Sequence, residues 1–216
     1  GGAPTRPLAL IAGAGAAVAI ILFAVIFLAD AVNLTEARQE RILAYTGLSD
    51  YQRERIMVFL NADRDPHGAG WNRLQSAIAI GAGGLTGRGY LQGTQNTLGF
   101  LPKTVAPTDF IFPVIAEEMG FMGAAAVLGL FAVLLLCVVL SALDAADTLG
   151  RLLCTGIVAM IFGHIAVNVS MTVGLMPIAG VPLPLVSYGG TFVVAILVAL
   201  GLVQSVYVRR SAGRGP

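Results

Sequence analysis

Apolar and polar positions in this chain separate into blocks instead of alternating. Leu8 to Ala29, Met119 to Leu143 and Leu152 to Tyr207 carry no charged residue, and Pro177, Pro182 and Pro184 divide the third of these runs. A hydrocarbon core about 30 Å thick takes about 20 helical residues. The pattern therefore predicts four membrane-spanning helices, at about 8–30, 119–143, 152–174 and 187–208. Between the first two lies a mixed segment, about 31–118. Residues 35–60 combine charge with Ile42, Leu43, Leu48, Ile56, Met57, Phe59 and Leu60, which predicts one or two amphipathic helices on a membrane or protein surface. Gln75 to Pro102 has too few apolar residues to span and holds seven glycines. A re-entrant or interfacial segment fits it, provided protein or water satisfies its backbone. Gly174 to Thr191 has three prolines and four glycines, so a broken connection is expected between the last two spans.

Composition agrees with this pattern. Of 216 residues, 56% are hydrophobic and 12% charged, where soluble domains have about 25% charged. The net charge is +1, and no basic stripe suggests nucleic acid. The first apolar run is longer than a signal-peptide core of roughly 7–15 residues, so it is read as a true span. The chain does not begin with Met and is expected to be a fragment or a processed piece. Cys137 and Cys154 fall in predicted spans and are read as packing residues. The fold class is an all-α integral membrane protein, one membrane domain over 1–216.

Charge orients the spans. Arg209, Arg210 and Arg214 close the chain, and basic residues in short flanks mark the cytoplasmic side. Counting back puts 144–151 and Arg6 inside, and both 175–186 and the long 31–118 segment outside. That outer segment has eight basic residues, but long loops cross largely regardless of charge.

Three groups of residues could carry chemistry. The Gly-rich stretch lacks dinucleotide and P-loop spacing; it makes either tight turns or a backbone that approaches a phosphate or sugar, with Arg88 at hand. His164 and Asn168 share a helix face at i, i+4, tying helices together or lining a cavity. Asp109, Glu117 and Glu118 precede an uncharged run. On a helix through Asp109, Glu117 lies about 80° and Glu118 about 180° around from it, which makes Glu117 the companion. Helix N-termini favour such acids for purely structural reasons. A desolvated Asp109 can equally act as a base near neutral pH.

Three long stretches add a resemblance. "DPHGAGWNRLQSAIAIGAGGLTGRGYLQGTQNTLGFLP", "TDFIFPVIAEEMGFMG" and "PIAGVPLPLVSYGGT" resemble the SEDS proteins (shape, elongation, division and sporulation), with RodA and FtsW as main branches. The likeness covers most of 55–195, in order, and "GTQNTLGFLP" leans towards RodA. It implies the C-terminal part of a fold of about ten helices, with six helices ahead of this chain. It implies a peptidoglycan glycosyltransferase that polymerises lipid II into glycan strands on the outer face of the bacterial cytoplasmic membrane, for cell elongation, shape or division. It assigns the essential acid to Asp109 of "TDFIF". Ala77 stands where the family often has Lys, Ala82 and Thr191 where it often has Ser, and Pro113 where a small residue is usual.

The implied reaction joins a GlcNAc 4-hydroxyl to C1 of MurNAc with departure of a lipid diphosphate. A base activates the hydroxyl, and Asp109 is the candidate. Positive charge helps the diphosphate leave. Arg88 and Lys103 are candidates, Arg73 a weaker one, and a divalent cation, Mg²⁺ or Mn²⁺, is a candidate cofactor. Amides of Gly81, Gly83 and Gly84 are candidate helpers, Asn168 and Ser187 candidate cavity-lining residues, and Glu117 a supporting one. The implied partners are lipid II, membrane lipids and a class B penicillin-binding protein. The alternatives are a flippase for the lipid-linked precursor and a non-catalytic scaffold of a cell-wall complex.

Overall fold

The computed structural model describes residues 49–61, 65, 68–101 and 106–210. These residues form helices and connections, with no strand among them. The expected first span, the 31–48 stretch, Lys103 and Arg214 lie outside the described residues. The chain divides into two compact units, residues 1–64 and 65–216. In the first, α1 (Asp50–Leu60) falls within the stretch expected to be amphipathic. Ser49 Oγ accepts the Gln52 N–H, and Gln52 Oε1 accepts the Ser49 N–H at 3.0 Å, a capping box that satisfies two otherwise orphaned donors.

The second unit holds α2 (Ala69–Gly83), the single turn α3 (Thr94–Thr97), and three long helices, α4 (Ile111–Leu143), α5 (Thr148–Thr172) and α6 (Gly190–Arg209). Those three are long and apolar enough to cross a membrane. Asp147 starts α5, its Oδ1 accepting the Gly150 N–H at 3.0 Å. The buried residues of α5 recur at Cys154, Ile157, Ile161, Ile165, Asn168 and Thr172, steps of three and four that make one face of a helix. That face packs against Phe131, Val138 and Ala142 of α4 and Ile196, Ala199 and Val203 of α6. The opposite faces leave Leu130, Leu136, Leu152, Phe162, Leu197 and Leu202 exposed. Apolar residues inside and outside suit helices solvated by lipid.

α4 departs from expectation in an instructive way. The hydrophobic pattern starts a span at 119, yet the helix starts at Ile111 and is broken at Gly120, whose φ is 67°. The uncharged half, Phe121–Leu143, is about 35 Å long and is the predicted span. The first half, Ile111–Met119, buries Phe112, Pro113, Val114, Ala116, Glu117 and Glu118. Pro113 causes no kink because it is the third residue of the first turn, where the missing N–H has no helical partner to lose.

The break frees backbone groups of α4, and the loop after α2 takes them up. Phe121 N–H donates to Gly84 O at 2.8 Å and Met122 N–H to Leu85 O at 3.1 Å. In return, the amides of Arg88 and Gly89 donate to the carbonyls of Glu117 and Glu118, each at 3.0 Å. A broken helix at membrane depth is tolerated when protein satisfies its backbone. The Gly-rich stretch is thus a helix plus a strap against α4, and protein satisfies the strap's backbone.

Candidate functional site

Asp109 stands on the turn that leads into α4, half-buried. Three successive carbonyls of this turn are held from outside it. Tyr188 N–H donates to Pro107 O at 2.8 Å. Ser187 Oγ donates to Thr108 O at 2.5 Å. Asn168 Nδ2 donates to Asp109 O at 2.9 Å and also to Val181 O at 2.7 Å. The broken α5–α6 connection thereby lies against the turn. Its Gly180, at φ 68°, faces the acid: a Cβ there would sit 3.4 Å from Asp109 Oδ2. The sequence pattern marks this connection as broken but carries no sign that Gly180 meets Asp109.

Asn168 and Ser187 are buried, at 0% and 3% exposure. Their hydrogens go to backbone carbonyls, and Ser187 Oγ also accepts the Leu183 N–H at 2.7 Å. The expected cavity lining is corrected here: both side chains face backbone and fix the turn. His164, one turn from Asn168, lies against Phe192 of α6 with ring centroids 5.2 Å apart, and its Nδ1 meets Met160 O at 2.9 Å. That is a packing role.

Glu117 is not the companion of Asp109. The helix begins after Asp109, so the 80° relation does not apply, and the Glu117 carboxylate points to α3. It is fully buried and its Oε1 accepts Thr94 N–H at 2.8 Å, Thr94 Oγ1–H at 2.9 Å and Gln95 N–H at 3.2 Å. Acids at a helix N-terminus were expected, but the terminus is that of a neighbouring turn. Gly93 makes room, since a Cβ there would lie 2.9 Å from Glu117 Oε2. Thr94 and Gln95 escape sequence reasoning because nothing local ties them to an acid more than twenty positions on.

Arg88 is exposed; its Nη1 donates to Thr94 Oγ1 at 2.8 Å and its Nε to Ala82 O at 3.3 Å. Its backbone is level with Glu117, on the order of 10 Å along α4 from Asp109. Arg73 reaches the α5–α6 connection, with Nη2 3.4 Å from Gly174 O. Gly81 and Gly83 lie inside α2, whose amides bond within the helix, so the expectation that they receive a diphosphate is corrected. Gly83 instead packs on α4: a Cβ there would lie 1.9 Å from Ala116 O. Gly84 is exposed with φ 55° and gives its carbonyl to Phe121. Among the described residues no three His, Cys, Asp or Glu side chains come together. A divalent cation would therefore meet at most two such side chains among the described residues, a number that Mg²⁺ accepts because it keeps several waters.

The sequence model for a cell cycle protein family, FtsW/RodA/SpoVE, matches residues 7–212. The chain belongs to this family. As an FtsW/RodA/SpoVE protein, it is 44% identical over 169 residues to the peptidoglycan glycosyltransferase MrdB of Escherichia coli K12, covering 78% of this chain and 45% of that protein. It is 43% identical over 169 residues to the peptidoglycan glycosyltransferase RodA of Treponema pallidum, 78% of this chain and 39% of that protein. It is 40% identical over 156 residues to the stage V sporulation protein E of Bacillus subtilis, covering 72% and 42%. A chain from a solved peptidoglycan synthase complex superposes with a TM-score of 0.62 at 36% identity, covering 77% of this chain and 44% of that one. This FtsW/RodA/SpoVE chain thus spans less than half the length of these relatives. The three apolar helices among its described residues and its family make it part of a multi-pass membrane protein.

Proposed function

We propose that the full-length protein polymerises lipid II into glycan strands, and that Asp109 is the general base. The observation that carries this is the Asp109 turn: an acid on non-helical backbone, held at three consecutive carbonyls, facing a glycine across a broken connection. Names of the relatives support the reaction class. Asp109 takes the proton from the GlcNAc 4-hydroxyl as its oxygen bonds to C1 of MurNAc, and the C1–oxygen bond to the lipid diphosphate breaks. Arg88 and Lys103 are the candidate side chains for the diphosphate. Positive charge can also come from Mg²⁺ or Mn²⁺, and undiminished polymerisation in excess EDTA would remove that source.

In this proposal the acid faces the outer side of the bacterial cytoplasmic membrane, where the substrate's sugars lie while its lipid tail stays in the bilayer. A class B penicillin-binding protein is the proposed partner, supported by the likeness to a chain of a synthase complex. In the full-length protein, Asp109→Asn should lower the polymerisation rate about 10²–10⁴-fold with lipid II binding retained, because Asn keeps the shape and cannot take the proton. Folding is checked by gel filtration. A folded Asp109→Asn protein that polymerises at the normal rate would refute the assignment. Transport of the precursor between two compartments without strand formation would favour the flippase.

A further inference from the structure

We propose that Asn168 and Ser187 are positioning residues for the Asp109 carboxylate, acting together as a clamp between α5, the α5–α6 connection and the turn ahead of α4. This rests on the reading of Asp109 as the base, and it gives two residues outside the reacting atoms a specific part in the reaction.

The geometry is restrictive. Asn168 uses both hydrogens of one amide, on Asp109 O and on Val181 O. Both acceptors are carbonyls, so only the –NH₂ end of the side chain can face them. Its Oδ1 is buried with no protein hydrogen-bond donor, so the side chain is placed by what its nitrogen holds. Ser187 likewise joins two segments, donating to Thr108 O and accepting from Leu183 N–H. Tyr188 N–H on Pro107 O and the buried Ala106 and Phe110 side chains hold the same turn on either side. α4 begins only at Ile111, and its first bond, Val114 N–H to Phe110 O, is long at 3.5 Å. The carbonyls of 108 and 109 precede that ladder. The bonds to these two carbonyls come from α5 and the 181–187 turn, which therefore take part in setting the height of the acid above the membrane span.

A base misplaced by about 1 Å can lose on the order of 10²-fold in rate without losing substrate. A clamp therefore differs from a substrate contact in what it changes. Its loss lowers kcat and leaves KM nearly constant, whereas loss of a contact made equally in the ground and transition states raises KM. It differs from plain packing because the damage is local and the chemistry of the replacement matters.

The test uses the full-length protein with Asn168→Ala, Asn168→Asp, Ser187→Ala and Ser187→Thr. Polymerisation of lipid II is measured per folded molecule, and amide hydrogen exchange is followed over 108–112 and 181–188. The expected result is a kcat loss of about 10–100-fold in Asn168→Ala and Ser187→Ala with KM within about threefold. Asn168→Asp should fare no better, since a carboxylate cannot donate to two carbonyls. Ser187→Thr keeps the hydroxyl and should recover most of the rate. Exchange should quicken in the two named segments, including the Leu183 amide, and stay unchanged in the middle of α5. Unchanged exchange, quickened exchange at normal kcat, or a rise in KM alone would each overturn the clamp. Quickened exchange and lost kcat in the clamp variants, beside full activity in Asp109→Asn, would sink the base assignment while leaving two residues that position the turn. A wild-type protein that makes no glycan would sink the proposed function, and the clamp with it.

Discussion

Gly87 and Gly120 meet backbone to backbone: a Cβ on Gly120 would lie 2.3 Å from the amide nitrogen of Gly87. Both residues have positive φ, 82° and 67°. Side chains are therefore excluded twice over, by conformation and by space. Gly120→Ala or Gly87→Ala should destabilise the protein by on the order of 2–6 kcal/mol, from backbone strain and overpacking together. Gly81→Ala is the control. It lies in α2 with nothing within 4 Å of its would-be Cβ, so it should be neutral or stabilising by up to about 1 kcal/mol. Thermal unfolding in detergent ranks the three, and a Gly120→Ala protein as stable as wild type would disprove the packing.

Glu117 should prove structural. Glu117→Gln keeps an acceptor for Thr94 but gives up charge-assisted bonds and brings an –NH₂ group towards N–H donors. A loss of about 1–3 kcal/mol is expected, with near-normal polymerisation by the molecules that remain folded. The check is rate divided by folded fraction. A rate loss as large as that of Asp109→Asn, at unchanged stability, would move Glu117 into the chemistry.

Gly180→Ala tests the wall opposite the acid. The new methyl group touches Asp109 Oδ2 and sits on backbone at φ 68°, so strain of about 1–3 kcal/mol is expected. Crowding of the carboxylate should lower kcat about tenfold or more, with lipid II binding little altered. Stopped-time glycan gels beside a lipid II binding assay separate the two. Unchanged kcat would mean that substrate does not approach Asp109 from the Gly180 side.

Sidedness can be read by labelling. On a background without Cys137 and Cys154, Gln92→Cys should react with an impermeant maleimide added outside intact cells. Ala146→Cys, in the turn between α4 and α5, should react only after the membrane is opened. The reverse pattern would put Asp109 on the cytoplasmic side, away from the proposed polymerisation.

Composition and uncharged runs made the three described spans legible, because lipid-facing helices must be apolar all round. Asp109 was legible as an acid between apolar residues. Where α4 begins was not, since Glu117 and Glu118 interrupt the uncharged run, and only their burial against protein shows that the helix continues through them. The glycines were legible as a backbone device; their partner was not. Gly83 could have faced a phosphate or another helix, and only the Ala116 carbonyl beside it decides. The donors on Glu117 and the amide on the Asp109 carbonyl join positions far apart in the chain, where neither spacing nor periodicity reaches.

The break in α4 also bears on how the protein meets membranes of different thickness. A span that is too long or too short for its bilayer adjusts by tilting, at fractions of a kcal/mol per ångström of mismatch. In an unbroken helix of 33 residues, such a tilt would swing the far end, and Asp109 with it. Here the loop after α2 joins both sides of the break, donating to the carbonyls of Glu117 and Glu118 and accepting from the amides of Phe121 and Met122, so a loop and not a continuous helix axis links Ile111–Met119 to the rest of α4. Polymerisation by the full-length protein in vesicles of graded acyl-chain length should therefore vary little, within about threefold over a few ångströms of thickness. A steep optimum at one chain length would show that the two halves of α4 tilt as one.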